Sequence, residues 1–590
     1  MAYPLLNSIP TSQVWTEQFT GLDRRPRTYD GTFNAMGNMT GEPWPLIASR
    51  KKRGLVAELE RPLGMLAMEK LAWIDGSTLY YDGAATPVNS LSTDAAMLPK
   101  RMAGMGAYIL VWPDKMYYNT ADPTDYGSID RLFASTGDVE FTLCTLDGVD
   151  YPAGDITVSD LPPENPQDGD LWIDTSSKPH TLNRYSDLYG DWVGEPSVYV
   201  KIAAAGIGAG LAQQDGVRIS GIAYNGADEA LKEQLEALNT TMIIQAVDND
   251  FIVVAGIIDG NYTQTAGTVR ADRKAPDMNL IVENNNRLWG CKYGAVDGKT
   301  VNEIYASALG DFKNFEKFLG TSQDSYAASV GTAGPFTGAA AHRDTLYFFK
   351  AGFVHKMEGS VPEYYRITTT ACEGVAPGAE NTLTVHGGLI YYLGMTGPKV
   401  FETLPQDIGK PLGEGMLSGG AAGPNGGHWM LSAREADGSW SLYDFDAERG
   451  RWHRQDGAHA LAFARLNGET YMLTADGLIW ALNGTAGTKE QEDVTWYAET
   501  APMGYEYPEH KRLSRFLLRM ELGEKAECAF SIQYDGEGPW EPKGHLEGAG
   551  KVKSYQLPIL PRRCESARLR LEGHGDFKLY GIARELGVEK

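Results

Sequence analysis

Residues 465–482 read RLNGETYMLTADGLIWAL, and the order of residue types in them decides the fold. Two tight turns, Asn467-Gly468 and Asp476-Gly477, alternate with the apolar runs Tyr471-Met472-Leu473 and Leu478-Ile479-Trp480. Asn-Gly and Asp-Gly tolerate the positive φ that short hairpin turns require, so the stretch predicts consecutive antiparallel strands. The same unit, an apolar run, a turn and a hydrophobic–aromatic pair, recurs six times upstream. The copies are LAWIDGSTLYY at 71–81, YILVWPDKMYY at 108–118, LIVENNNRLWG at 280–290, HRDTLYFF at 342–349, HGGLIYYLG at 386–394 and READGSWSLYDF at 434–445.

The anchoring aromatics are Tyr80, Tyr117, Trp289, Tyr347, Tyr391, Tyr443 and Tyr471. Apart from the 172 residues between Tyr117 and Trp289, their mean spacing is about 44, the length of a four-stranded propeller blade. The pattern predicts an all-β protein, a β-propeller of about seven blades. A run of hairpins in one or two β-sandwiches is the alternative.

Composition agrees with many short strands. The 590 residues include 68 Gly and 30 Pro, with 30 Tyr, 18 Phe and 13 Trp. Such an aromatic load excludes free disorder, and the glycines lack the period of three of a collagen. A chain of this length exceeds a single core. The expected division is an extended N-terminal arm at 1–60, first blades at 61–137, an inserted mostly-β module at 138–268, remaining blades at 269–500 and a C-terminal β-sandwich-like domain at 501–590. The insert accounts for the long interval. It holds the small aromatic hairpins GDLWIDT, LNRY and GDWV, and one helix at 229–239 with Leu231, Leu235 and Leu238 on one face.

No apolar run approaches eighteen residues and no signal peptide is visible, so no membrane anchor is expected. Cys144, Cys291, Cys372, Cys528 and Cys564 are odd in number and dispersed, which points to free thiols and a reducing cytosol. The net charge of −24 is uneven. Residues 1–53 carry seven Lys/Arg against four Asp/Glu, and 501–590 carry fifteen against fourteen, which leaves −28 for 54–500. An acidic body does not grip nucleic acid along its surface, although solubility alone accounts for most acidic proteins.

Catalytic and metal motifs are weak. Gly294–Thr300 resembles a phosphate loop, but Tyr293 stands where its first glycine belongs. The glycines at 206–210 lack the spacing of a dinucleotide fingerprint. Asp248-Asn249-Asp250 has neither the glycine nor the glutamate of a calcium loop. His342, His386 and His428 recur at blade spacing and invite a metal ring, but turn-adjacent residues repeat in the same way. With 77 acids a pair of glycosidase carboxylates stays open. The expectation is a protein that is not an enzyme, with no cofactor, no metal and no catalytic residues.

Three features carry a family resemblance: the opening FNAMGNMTGEPWPLIASRKKRG at 33–54, the propeller-like repeats, and the close LPRRCESARLRLEGHGDFKLYGIARELG at 560–587. Together they resemble bacteriophage tail and neck proteins of the tail-nozzle and packaged-DNA-stabilisation type. The segment PPENPQDGDLWIDT at 162–175 is similar to a hairpin repeat of phage tail and fibre proteins. The resemblance implies a structural virion protein made in the host bacterial cytoplasm. It implies a homo-oligomeric ring, a hexamer for example, contacting portal, adaptor or neighbouring tail proteins. Genomic DNA would pass through the lumen without sequence-specific binding.

On that reading Arg24, Arg25, Arg27, Arg50, Lys51, Lys52 and Arg53 form assembly contacts with a partner. The alternative is a receptor- or carbohydrate-binding tail component, with Trp172, Tyr185, Tyr189 and Trp192 stacking on sugars. A propeller glycoside hydrolase is the third reading.

Overall fold

The structure, a computed structural model, describes residues 11–26, 28–152, 155–296, 298–484, 486–492, 494–505, 510–536 and 538–587. Strand makes up 52% of the chain and helix 4%. The fold is all-β, a β-propeller carrying an inserted module and a C-terminal sandwich. The chain forms two compact units, Met1–Gly104 with Thr332–Met357 and Ile367–Lys590, and Met105–Gly331 with Glu358–Arg366.

The first unit holds five blade sheets. Four are antiparallel meanders, beginning at Pro62–Ala67, Phe336–His342, Thr384–His386 and Ser418–Asn425. The fifth takes three strands from Ala460–Leu466, Glu469–Thr474 and Leu478–Ala481, and its next strand, Gly54–Glu58, from the other end of the sequence. Leu55 pairs with Trp480 and Ala57 with Ile479, so this blade is closed by residues some 420 positions apart in the chain.

Two local devices repeat. A two-residue turn with both φ angles positive joins the first two strands of several blades, at Arg343-Asp344, Gly387-Gly388 and Asn467-Gly468. That geometry matches the right-handed twist of the strands it links. The first strands also share a bulge, at Pro62/Gly64, Phe336/Gly338, Ser418/Ala421 and Ala460/Ala462. Small residues follow from crowding there: a Cβ on Gly423 would come within 2.3 Å of Phe463 Cβ on the next blade.

The N-terminal segment is not a separate extended arm, as the sequence suggested. Thr11–Thr16 pairs with Phe577–Gly587, Leu22 with Trp452, and Thr32–Gly37 with Thr495–Thr500. One continuous ten-stranded sheet therefore runs from the Ser418–Asn425 blade, through residues 21–22 and 32–37, into the C-terminal strands. For the same reason the expected 501–590 domain is incomplete alone. Its two sheets need Thr11–Thr16, Met39–Thr40, Ile47–Ser49 and Thr495–Thr500. Trp496 stacks on Phe577 with centroids 4.2 Å apart in its core.

The second unit contains two further blade sheets. Tyr108–Trp112, Met116–Asn119 and Tyr126–Ser128 belong to one, and the four strands from Leu280–Asn284 to Tyr326–Ser329 form the other. Between them lies the insert, whose main sheet runs from Val139–Cys144 to Arg270–Asp272. A small sheet, Ile156–Ser159, Leu171–Asp174, Thr181–Ser186 and Asp191–Gly194, packs Leu171, Ile173 and Leu182 into the same core. The helix forms at Glu229–Ala237 with Asp228 as its cap, and it buries Leu231 and Leu235 as its spacing demands.

Candidate functional site

The basic residues at 24–53 lie on the N-terminal strap, and the strands on either side of each residue decide where its charge goes. Arg50 and Arg53 face inward, at 8% and 3% exposure. Arg53 Nη1 lies 2.8 Å and Arg50 Nη2 3.3 Å from Asp456. Gln455 accepts from Arg53 at 3.0 Å, while Asn38 and Gln491 accept from Arg50 at 2.7 and 2.9 Å. Burial pushes Arg50 down to about 9, with Arg53 adding to the effect and Asp456 opposing it. Burial pushes the Asp456 carboxyl up, but the two guanidinium groups outweigh it and hold it below its ordinary value. These two arginines tie the strap to a blade of their own chain. They are corrected from partner contacts to internal ones, because both guanidinium groups are buried and paired with Asp456 of their own chain.

The other basic residues sit differently. Arg24 reaches Glu435 at 3.6 Å and lies over the Tyr443 ring. Arg25, half exposed, folds back on Asp23 at 2.6 Å, and that hydrogen bond raises its pKa. Lys51 and Glu42 form an exposed pair at 3.1 Å, of the kind that adds little stability. Lys52 is half-buried. Arg27 lies outside the described residues.

Beneath the strap, one face of the blade strands 428–454 is polar. His428 Nδ1 lies 2.5 Å from Asp444, across from Asp446 on the neighbouring strand. Asp444 in turn pairs in register with His453. His453 is 2% exposed and closed in by backbone: a Cβ on Gly41 would fall 2.4 Å from its ring. Its Nδ1 has no hydrogen-bond partner. Burial pushes this imidazole down to about 4. His428 moves the opposite way, because burial is outweighed by Asp444. A cleft of about 370 Å³ opens beside these groups, lined by Glu42, Arg50, Lys51, His428, Asp446 and Arg449.

The three histidines at blade spacing do not occupy equivalent places. His342 and His386 end first strands, whereas His428 begins a second strand, across the hairpin turn. Among the described residues no group of three or more His, Cys, Asp or Glu side chains is arranged to hold a metal ion. In the phosphate-loop-like fragment, Gly294, Ala295 and Val296 pair antiparallel with Val301, Thr300 and Lys299.

The aromatic residues of the insert do meet. Trp172, Tyr185 and Trp192 share the outer face of the small sheet, and Trp192 touches the other two rings edge-on at 5.5 and 5.4 Å. Trp172 is buried, and its Nε1 donates to Ser159 O at 3.1 Å. Trp172 therefore presents no open stacking face, and only Tyr189, 72% exposed, projects freely. What sequence reasoning missed is the Arg50–Arg53–Asp456 cluster and the enclosed His453. The signal for the second was the glycine pair Gly21 and Gly41.

No protein-family model and no curated protein matches the chain. Among solved structures it is similar to an exo-β-1,3-galactanase from Phanerochaete chrysosporium, at 10% identity and TM-score 0.20, covering 52% of this chain and 94% of that one. It is similar to BamB from Moraxella catarrhalis at 9% identity and TM-score 0.30, covering 75% and 99%. A third likeness is Raptor from Chaetomium thermophilum, at 8% identity and TM-score 0.29, covering 74% of this chain and 30% of that one.

Proposed function

We propose that the chain is a structural protein of a bacteriophage tail or neck, in which propellers assemble around the DNA exit channel. The observation that supports this reading is the strap. Residues 11–58 bind a blade, the blade closure and the C-terminal sandwich into one mechanical body. Such cross-ties between distant parts of the chain suit a channel wall that bears load. The acidic body, −28 over residues 54–500, lets a polyanion slide rather than stall. Assembly would be head-to-tail, closed by rotation. Arg24, Arg25 and Lys51, which keep solvent-facing surface, are basic residues of the strap placed to set register against a neighbour.

Electron microscopy of the purified protein, with its mass in solution, tests the reading. Closed rings with an open lumen support it, whether formed alone or on a phage portal–adaptor complex. A monomer that stays monomeric on that complex, or a trimer presenting its inserts outward, overturns it.

A further inference from the structure

The inserted module holds a second cleft, of about 370 Å³, unrelated to the strap. One wall is the helix Glu229–Ala237. Its leucines turn to the core, which leaves Ala230, Glu233, Gln234 and Ala237 along the cleft at helical spacing. The two alanines make the space. Leu238, at the end of the helix, together with Met242 and Ile257 supplies the rest of its apolar lining.

One end is polar and built. His180 Nδ1 lies 2.9 and 2.8 Å from the two oxygens of Asp259. Gln234 Nε2 donates to Asp259 at 2.8 Å, and the Asp259 N–H donates back to Gln234 at 2.8 Å. The His180 and Asp259 side chains are 9% and 8% exposed. An ionised carboxylate only accepts, so Nδ1 is the nitrogen that donates to it, which leaves Nε2 as the acceptor of the Nδ1–H tautomer. Fixing a histidine from behind in this way orients its other nitrogen toward a ligand. The ions at the rim, Lys178 and Glu233, pair with each other at 2.9 Å and select no charge.

We propose that this cleft binds a small neutral molecule with an apolar body and a hydroxyl, of the alcohol or phenol class. The hydroxyl donates to His180 Nε2, and the body lies on Ala230, Leu238, Met242 and Ile257. Apolar clefts with a few convergent polar groups are the usual form of such sites. The inference is independent of the virion reading.

The full chain, labelled with 13C at its methionine methyls and held near pH 8, is titrated with 4-ethylphenol. The Met242 signal, assigned by Met242→Leu, is followed. Saturable movement is expected, with 4-ethylanisole, which cannot donate, binding about three- to tenfold more weakly. Ala230→Leu keeps helix propensity and fills the cleft, so it should abolish the shift while the other methionine signals stay in place. No movement of Met242, equal affinity for the phenol and the anisole, or undiminished binding by Ala230→Leu would each overturn the proposal.

Discussion

The Arg53 guanidinium stands 2.8 Å from the Asp456 carboxylate, and the same carboxylate faces Arg50 at 3.3 Å. Two buried cations share one anion, and Gln455, Gln491 and Asn38 each accept one further N–H. Removing one partner of such a cluster is far costlier than never having built it. Asp456→Ala therefore leaves two uncompensated charges under the strap and should cost about 3–5 kcal/mol. Urea unfolding followed by tryptophan fluorescence checks this, as a lowered midpoint of the transition that reports the strap and sandwich. An unchanged midpoint would mean that the cluster does not hold the strap.

Close approach of neighbouring first strands makes a second expectation. A Cβ at Gly423 meets the Phe463 Cβ at 2.3 Å, an atom that cannot swing away. Gly423→Ala should cost about 1–3 kcal/mol through overpacking. At Gly427, four residues on, a Cβ would meet nothing within 4 Å. Gly427→Ala should stay within about 0.5 kcal/mol of wild type. Comparing thermal unfolding of the two variants separates a packing effect from the general cost of replacing glycine.

The repeat was legible because it is local. Turn residues and aromatic pairs lie within a dozen positions of one another, and seven such units marked the blades. The helix was legible for the same reason, through Leu231, Leu235 and Leu238. The strap was not. Its pairings join Thr32–Gly37 to Thr495–Thr500 and Gly54–Glu58 to Leu478–Ala481, and no window of sequence contains both partners. Arg50-Lys51-Lys52-Arg53 reads as one partner-facing run until Asp456, one acid among 77, is placed beneath it. Trp172 and Tyr189 likewise look equivalent in sequence, but Trp172 lies in the strand Leu171–Asp174 and is buried, whereas Tyr189 lies in the turn between Thr181–Ser186 and Asp191–Gly194 and is exposed.

Acid should loosen the strap, through His453. Its folded pKa is about 4 against an ordinary value near 6.5, so between those pH values the unfolded chain binds a proton that the folded chain refuses. The stability from this group is fully present above pH 6.5 and is lost as pH falls toward 4, by about 3 kcal/mol over the window. His355, buried and also pushed down to about 4, acts in the same direction. His428, raised by Asp444, opposes them, since its contribution is present in acid and fades as pH rises through its folded value. Unfolding midpoints measured from pH 7.5 to 4.5 should fall in wild type and fall less in His453→Gln. Parallel profiles would show that His453 is not the titrating group.

The basic residues divide into two classes that a single experiment distinguishes. Arg50 and Arg53 are internal, so Arg50→Ser/Arg53→Ser should lower the unfolding midpoint and expose the strap to proteolysis, with or without any partner. Arg24, Arg25 and Lys51 keep about a third to three-fifths of their side-chain surface in solvent, which screens their pairs even where the carboxylate is buried. Arg24→Ser/Arg25→Ser/Lys51→Ser should therefore leave the midpoint within about 1 kcal/mol of wild type. If these three set register against a neighbouring ring protein, the same variant should slow assembly, and added salt should slow wild-type assembly in parallel, since rim charges act mainly on encounter. Light scattering during assembly at low and moderate salt provides the measurement. Assembly of the triple variant at the wild-type rate, with wild type insensitive to salt, would remove the strap from the assembly interface altogether.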